Sequence, residues 1–195
     1  MNLPNQLTLA RFALTLLFMA VLLSGMPYAS SLALALFVVA GITDWMDGSI
    51  ARRRNLVTNF GILMDPLADK ILVCSAFIVF VEFRWIASWM VVIIVARELA
   101  ITGLRLLAAS KNVVLAAEGF GKHKTISQMT TIMAMLVLES YESWGMVGKV
   151  FGWHLFGQPW VNGFTVISQW VAMGLTLLSG ALYLSRNRKI YLPDM

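Results

Sequence analysis

Charge is scarce in this chain: 13% of its 195 residues are Asp, Glu, Lys or Arg, where a soluble domain carries about 25%. That deficit excludes an ordinary soluble fold and points to lipid as the main solvent. Cysteine is scarcer still. Cys74 has no second cysteine for an internal disulfide, lies in an apolar run and has no His near it in sequence, so it reads as a small packing residue rather than a nucleophile. No Cys or His pair stands at zinc spacing. No apolar segment ends in a small-residue cleavage site, so no removable signal peptide is expected. The net charge of +5 does not suggest nucleic acid, because the basic residues do not alternate with aromatics along a soluble face.

What is abundant is apolar: 59% of residues, with a mean hydropathy of +0.77. A helix crossing the hydrocarbon core needs about 20 mostly apolar residues. Six segments approach that length, at residues 7–23, 31–51, 67–83, 85–107, 125–138 and 161–184. The fifth is the shortest and is expected to run a residue or two further. There is no repeat and no linker, so residues 1–195 read as one all-α integral-membrane domain. The expected fold is a six-transmembrane-helix bundle with an N-terminal interfacial segment. Ten Lys and Arg residues (Arg52, Arg53, Arg54, Arg105, Lys111, Lys122, Lys124, Arg186, Arg188 and Lys189) fall on one side of these spans, and only Arg84 and Lys149 on the other. That bias places both termini in the cytoplasm. The opposite loop, residues 140–162, is rich in Gly and Trp and reads as an interfacial segment without a catalytic role.

The second hydrophobic segment carries Asp44 and Asp47, and Asp65 and Asp69 stand at the start of the third. Ionisable residues in spans are costly and point to function. Each pair lies one helical turn apart, at i,i+3 and i,i+4, so each shares a helix face. Four converging carboxylates would repel one another and take up protons. Divalent cations remove that conflict, and hard oxygen ligands suit Mg²⁺ or Mn²⁺. Two such ions bridge phosphate oxygens in an in-line displacement. The bland alternative, helix caps paired with Arg52, Arg53 and Arg54, does not require four acids on two helices.

The stretch Asp44-x2-Asp47-Gly48-x2-Ala51-Arg52-x8-Gly61-x3-Asp65-x3-Asp69 resembles the signature of the CDP-alcohol phosphotransferase family at every defined position. That resemblance implies transfer of a phosphoalcohol group from a CDP-alcohol to an acceptor hydroxyl, with release of CMP. It implies two metal ions held by Asp44, Asp47, Asp65 and Asp69, with Asp69 also the general base. Gly48 and Ala51 would leave room for the cytidine, and Arg52 would contact the donor's phosphates. Gly61 is expected in the turn into the third span. The resemblance further implies a homodimer in a bacterial cytoplasmic membrane.

Arg97 lies too deep in the fourth segment for a simple interfacial anchor, and Arg105 follows two turns later near the same face. With Lys122 and Lys124 they would form a pocket for a second anion, since Arg grips phosphate bidentately and Lys supplies a compact charge. Thr43, beside Asp44, is a further candidate for the acceptor phosphate. Positive-inside charge and anionic-lipid binding are the bland readings of the two lysines. The N-terminal Asn2-Leu3-Pro4-Asn5-x-Leu7-Thr8-x2-Arg11, the Ala96-Arg97-Glu98 to Arg105 block, and Gly121-Lys122-x-Lys124-Thr125-x2-Gln128-Met129 are similar to the bacterial phosphatidylglycerophosphate synthase branch of the family. The likeness implies CDP-diacylglycerol as donor and sn-glycerol 3-phosphate as acceptor. It would place Asn5, Thr8 and Arg11 on a surface-lying segment near the donor's phosphates. A synthase using inositol phosphate or serine is the alternative within the family. A divalent-cation transporter is the non-enzyme alternative, though the acids lie away from mid-membrane and no pseudo-symmetry is visible.

Overall fold

The computed structural model describes residues 3–54, 59–111, 113, 115, 119–155 and 157–191. Within these, the side chains of residues 3–5, 7, 44–54, 59–66, 69, 119, 120 and 189 lie outside the description. The described chain is all-α apart from one short hairpin. Six long helices carry the six hydrophobic segments: α1 (Leu3–Leu23), α2 (Ala29–Arg54), α3 (Asn59–Glu82), α4 (Ser88–Ser110), α5 (Gly119–Leu138) and α7 (Trp160–Arg186). They run from 20 to 27 residues, or about 30–40 Å at 1.5 Å per residue. Between α5 and α7 come a 3₁₀ turn (Tyr141–Trp144), the short α6 (Met146–Phe151) and a two-stranded hairpin pairing His154–Leu155 with Gln158–Pro159. A final turn, α8 (Arg188–Tyr191), ends the described chain.

The outer faces of the helices are apolar, unlike those of a soluble bundle. Large apolar side chains face outward, among them Leu16, Val92, Leu99, Ile126 and Ile167, each more than 60% exposed. Meanwhile Thr8, Arg11, Thr15, Gln128, Thr131, Thr165, Ser168, Thr176 and Ser179 are buried. In water that surface would be one large sticky patch; in lipid, polar groups between helices are what hold a bundle together. Among the described residues, α7 is long and apolar enough by itself to cross a membrane, and Thr8–Leu23 and Ala29–Thr43 form shorter apolar runs.

The α5–α7 pair illustrates the polar seam. Gln128 Nε2 donates to Thr176 Oγ1 at 3.0 Å, and the Thr131 hydroxyl to the Ser168 carbonyl at 2.9 Å. The Thr165 hydroxyl reaches the Ala134 carbonyl at 3.2 Å. Small side chains at these positions let the two backbones approach. Around them Phe18, Phe37, Phe77, Phe80, Ile94 and Met135 form the apolar core that joins α1 to α5.

Two expectations are corrected. The N-terminal segment is not a separate surface element but the first turns of α1, because Thr8, Arg11, Thr15, Phe18 and Leu22 make one buried stripe at helical spacing. Gly61 does not serve a turn; it is the third residue of α3, which starts six residues before Asp65 and thus carries Asp65 and Asp69 inside a formed helix. The fourth helix also starts later than its apolar run, at Ser88, since Phe83 to Ala87 form a tight connection.

The segment between α5 and α7 is tied down by aromatics. Trp144 donates to Ser31 Oγ at 2.8 Å, Trp160 donates to the Val150 carbonyl at 2.7 Å, and Phe151 sits between the two indoles. A Cβ on Gly148 would lie 2.0 Å from the Tyr141 carbonyl oxygen, so that oxygen occupies the space a side chain needs. Gly148→Ala is expected to cost about 1–3 kcal/mol through overpacking. Limited proteolysis of residues 139–159 checks it: the variant should be cut faster, and unchanged cleavage would refute the packing argument.

Candidate active site

The four aspartates fall on two helices, Asp44 and Asp47 in the last three turns of α2, Asp65 and Asp69 in the first half of α3. Their side chains lie outside the described residues, as do those of Asn5, Gly48, Ala51, Arg52 and Gly61. The donor set is nonetheless informative: four carboxylates, all hard oxygen donors, suit Mg²⁺ or Mn²⁺ and not a soft metal. The residues present therefore fit the implied pair of ions.

Ala68 and Leu72 are buried against the bundle. Lys70 Nζ donates to Thr102 Oγ1, and the Thr102 hydroxyl donates to the Glu98 carbonyl at 2.7 Å. These bonds fasten the turn of α3 that carries Asp69 onto α4. Lys70 was not among the residues selected from sequence; the signal was there, a lysine inside an apolar span directly after a signature aspartate.

Glu98 is the centre of a buried cluster. Its Oε1 accepts from Arg97 Nη1 at 3.2 Å and also from Lys124 Nζ. Arg97 Nη2 donates to Ser179 Oγ at 3.2 Å, tying α4 to α7. Arg97 Nε is buried and makes no hydrogen bond among the described residues. Arg97 and Lys124 are two cations on one carboxylate, which leaves this cluster one positive charge in excess. In a low-dielectric interior such an excess attracts an anion strongly. An unused guanidinium N–H provides a donor for it.

The predicted acceptor residues separate into groups. Arg97 and Lys124 are brought together through Glu98. Arg105 lies on the same side of α4 but binds Tyr183, donating to its hydroxyl at 3.2 Å with the guanidinium 5.6 Å from the ring centroid. Lys122 is exposed, because two residues along a helix turn it away from Lys124. The Thr43 hydroxyl donates back to the Val39 carbonyl at 2.8 Å, so in this rotamer it can only accept. Of the N-terminal group, Thr8 and Arg11 are buried. Glu98, Ser179 and Gly180 complete the cluster, and only contact between α4 and α7 reveals the last two.

Gly180 explains how Arg97 fits. A Cβ there would stand 3.0 Å from Arg97 Cγ, so the bare glycine lets the arginine stem pass between α4 and α7. Gly180→Ala is expected to push the guanidinium off Glu98 and raise the KM for an anionic acceptor more than it lowers kcat. Steady-state kinetics with varied acceptor checks this, and an unchanged KM would refute it.

Residues 1–180 match the CDP-alcohol phosphatidyltransferase family. The chain belongs to that family. Among similar proteins, a CDP-diacylglycerol–glycerol-3-phosphate 3-phosphatidyltransferase of Bacillus subtilis is 40% identical over 198 residues, covering 95% of each chain. A protein of the same name from Rickettsia bellii is 35% identical over 190 residues, covering 97% of each. A cardiolipin synthase (CMP-forming) of Oryza sativa is 31% identical over 150 residues, covering 70% of this chain and 46% of its own. As a CDP-alcohol phosphatidyltransferase, the chain pairs a signature-bearing α2–α3 unit with a cationic cluster between α4, α5 and α7.

Proposed function

We propose that this chain transfers the phosphatidyl group from CDP-diacylglycerol to sn-glycerol 3-phosphate, giving phosphatidylglycerophosphate and CMP. The observation that carries the acceptor is the buried Arg97–Glu98–Lys124 cluster with its excess positive charge. Serine or choline would leave that charge unmet, whereas a phosphate monoester neutralises it. The names of the Bacillus and Rickettsia relatives support the same acceptor.

Six helices of 20 to 27 residues with apolar outer faces support six crossings of a bacterial cytoplasmic membrane. The basic bias of the loops puts both termini and the aspartates on the cytoplasmic side. Asp44, Asp47, Asp65 and Asp69 would hold two Mg²⁺ or Mn²⁺ ions, which would supply positive charge to offset the donor's diphosphate and the leaving CMP. Gly48, Ala51 and Gly61 keep the helices slim where the nucleotide approaches, and Arg52 contacts its phosphates. Asn5, Thr8 and Arg11, at the start of α1, would face the donor. Arg97 and Lys124 would anchor the acceptor's phosphate, with Arg105, Lys122 and Thr43 as further candidates.

Asp69 takes the proton from the acceptor's primary hydroxyl. The freed oxygen attacks the phosphorus of the phosphatidyl group. A new P–O bond forms as the bond to CMP breaks, and CMP leaves with the electron pair. No side chain becomes covalently attached. The family resemblance also favours a homodimer.

Labelled CDP-diacylglycerol in detergent, offered glycerol 3-phosphate, inositol phosphate, serine or phosphatidylglycerol with and without Mg²⁺ or Mn²⁺, tests the reading. CMP release should require the metal and glycerol 3-phosphate. Equal or faster turnover of another acceptor overturns the acceptor assignment, and undiminished turnover after chelation overturns the metal assignment.

A further inference from the structure

At the ends of α3 and α4 remote from the aspartates, the connection between the helices lines a cavity of about 610 Å³. Its walls include Arg84, Trp85, Ser88, Trp89, Gln169 and Trp170. Nothing in the proposed reaction uses it.

Arg84 is in the left-handed region, with φ +59, where a side chain is strained and glycine is the usual occupant. The turn is a Schellman ending. The Arg84 amide donates to the Val81 carbonyl at 3.0 Å and the Trp85 amide to the Phe80 carbonyl at 2.9 Å. The Phe80 and Trp85 rings, 5.1 Å apart, supply its hydrophobic contact. Glycine would make this turn without strain, so the turn itself does not call for an arginine. The guanidinium has no packing role either: Arg84 is exposed. Among the described residues its guanidinium makes no hydrogen bond or ion pair, although Glu82 is two residues away.

The surroundings suit an amphiphile with a negative head. Helix α4 begins at Ser88 behind Ala87, with no side-chain cap, so the positive end of its dipole adds to the charge of Arg84. The Gln169 amide holds the Trp85 carbonyl at 3.1 Å and fixes the connection to α7. The Trp89 and Trp170 rings, 6.0 Å apart, are of the type that collects at the membrane interface. One turn further along α4, Val92 is 65% exposed and continues the apolar surface. A free phosphate has no use for indoles and an apolar runway; an acylated one does.

We propose that this cleft binds the headgroup of an anionic phospholipid in the leaflet away from the aspartates. Arg84 and the first turn of α4 meet its phosphate, and Trp89 and Trp170 lie against its glycerol and upper acyl carbons. This rests on the membrane-spanning reading above and not on the choice of acceptor.

The test uses the full chain in phosphatidylcholine nanodiscs containing either brominated phosphatidylglycerol or brominated phosphatidylcholine, read by tryptophan quenching. Half-maximal quenching is expected at roughly fivefold lower mole fraction of the anionic lipid, the effect of one cation at a charged surface. Arg84→Gly should abolish that preference without lowering the melting temperature, since it removes strain along with charge. Arg84→Lys should retain most of it, and Trp170→Phe should reduce the quenching amplitude. Equal quenching by both lipids, or an unchanged preference in Arg84→Gly, overturns the site. So does loss of the preference on adding inorganic phosphate at constant ionic strength, which would mark a free-anion site. Failure to enter the disc overturns the membrane reading and this site with it. Entry and phosphatidyl transfer without lipid preference overturn the site alone.

Discussion

Asp69→Asn is expected to lower kcat for phosphatidyl transfer by roughly 10²–10⁴-fold, the contribution of a positioned general base, while the bundle stays folded. The substitution is close to isosteric, so its effect is chemical: a carboxylate that accepts a proton and ligates a cation becomes an amide that does neither well. The position is well suited to such a role. Ala68 and Leu72 lock α3 into the core on one side of it, and Lys70, bonded to Thr102, fastens the same turn to α4. Asp69 thus stands within α3, one turn after Asp65. Rate measurements with saturating donor, acceptor and Mg²⁺, alongside a melting curve, separate chemistry from folding. Turnover within a factor of about ten of the parent would sink the base assignment.

The second large effect lies in the cluster below. Glu98→Ala should destabilise the protein by about 3–5 kcal/mol, because it strands two buried cations that now share one carboxylate oxygen. Arg97, Glu98 and Lys124 side chains are only 14%, 8% and 5% exposed, so water cannot take over the lost interaction. Pairing Glu98→Gln with Lys124→Met removes one cation as well as the acid and should recover much of the loss. A thermal or denaturant melt in detergent reads both. If Glu98→Ala melts like the parent, the cluster is not the structural centre its burial indicates. Added glycerol 3-phosphate should raise the melting point of the parent, since a ligand of the native state stabilises it by mass action.

These two sites differ in how visible they were beforehand. The aspartates announce themselves by cost and spacing: four acids in apolar helices, in pairs one turn apart. Six hydrophobic segments likewise map onto six long helices, because apolar runs of that length are too long for strands. Boundaries were less legible. Gly61 looked like a turn residue, yet it lies within α3, which begins two residues before it. The start of α1 looked like a surface segment, yet its Thr8–Arg11–Thr15 stripe packs into the bundle.

What the sequence alone determined is the scarcity of charge, the helical architecture and the aspartate signature, since each is a local pattern along one strand of chain. What only the tertiary structure decided is partnership across helices. Glu98 joins Arg97 to Lys124, which is 26 residues away; Arg97 reaches Ser179 over a separation of 82 residues. Lys122 and Lys124 look equivalent in sequence, and the fold buries one and exposes the other. Arg84 looks like any loop arginine until its left-handed backbone and its ring of indoles are seen. Periodicity records which face a residue occupies, but which face it meets depends on how the helices pack.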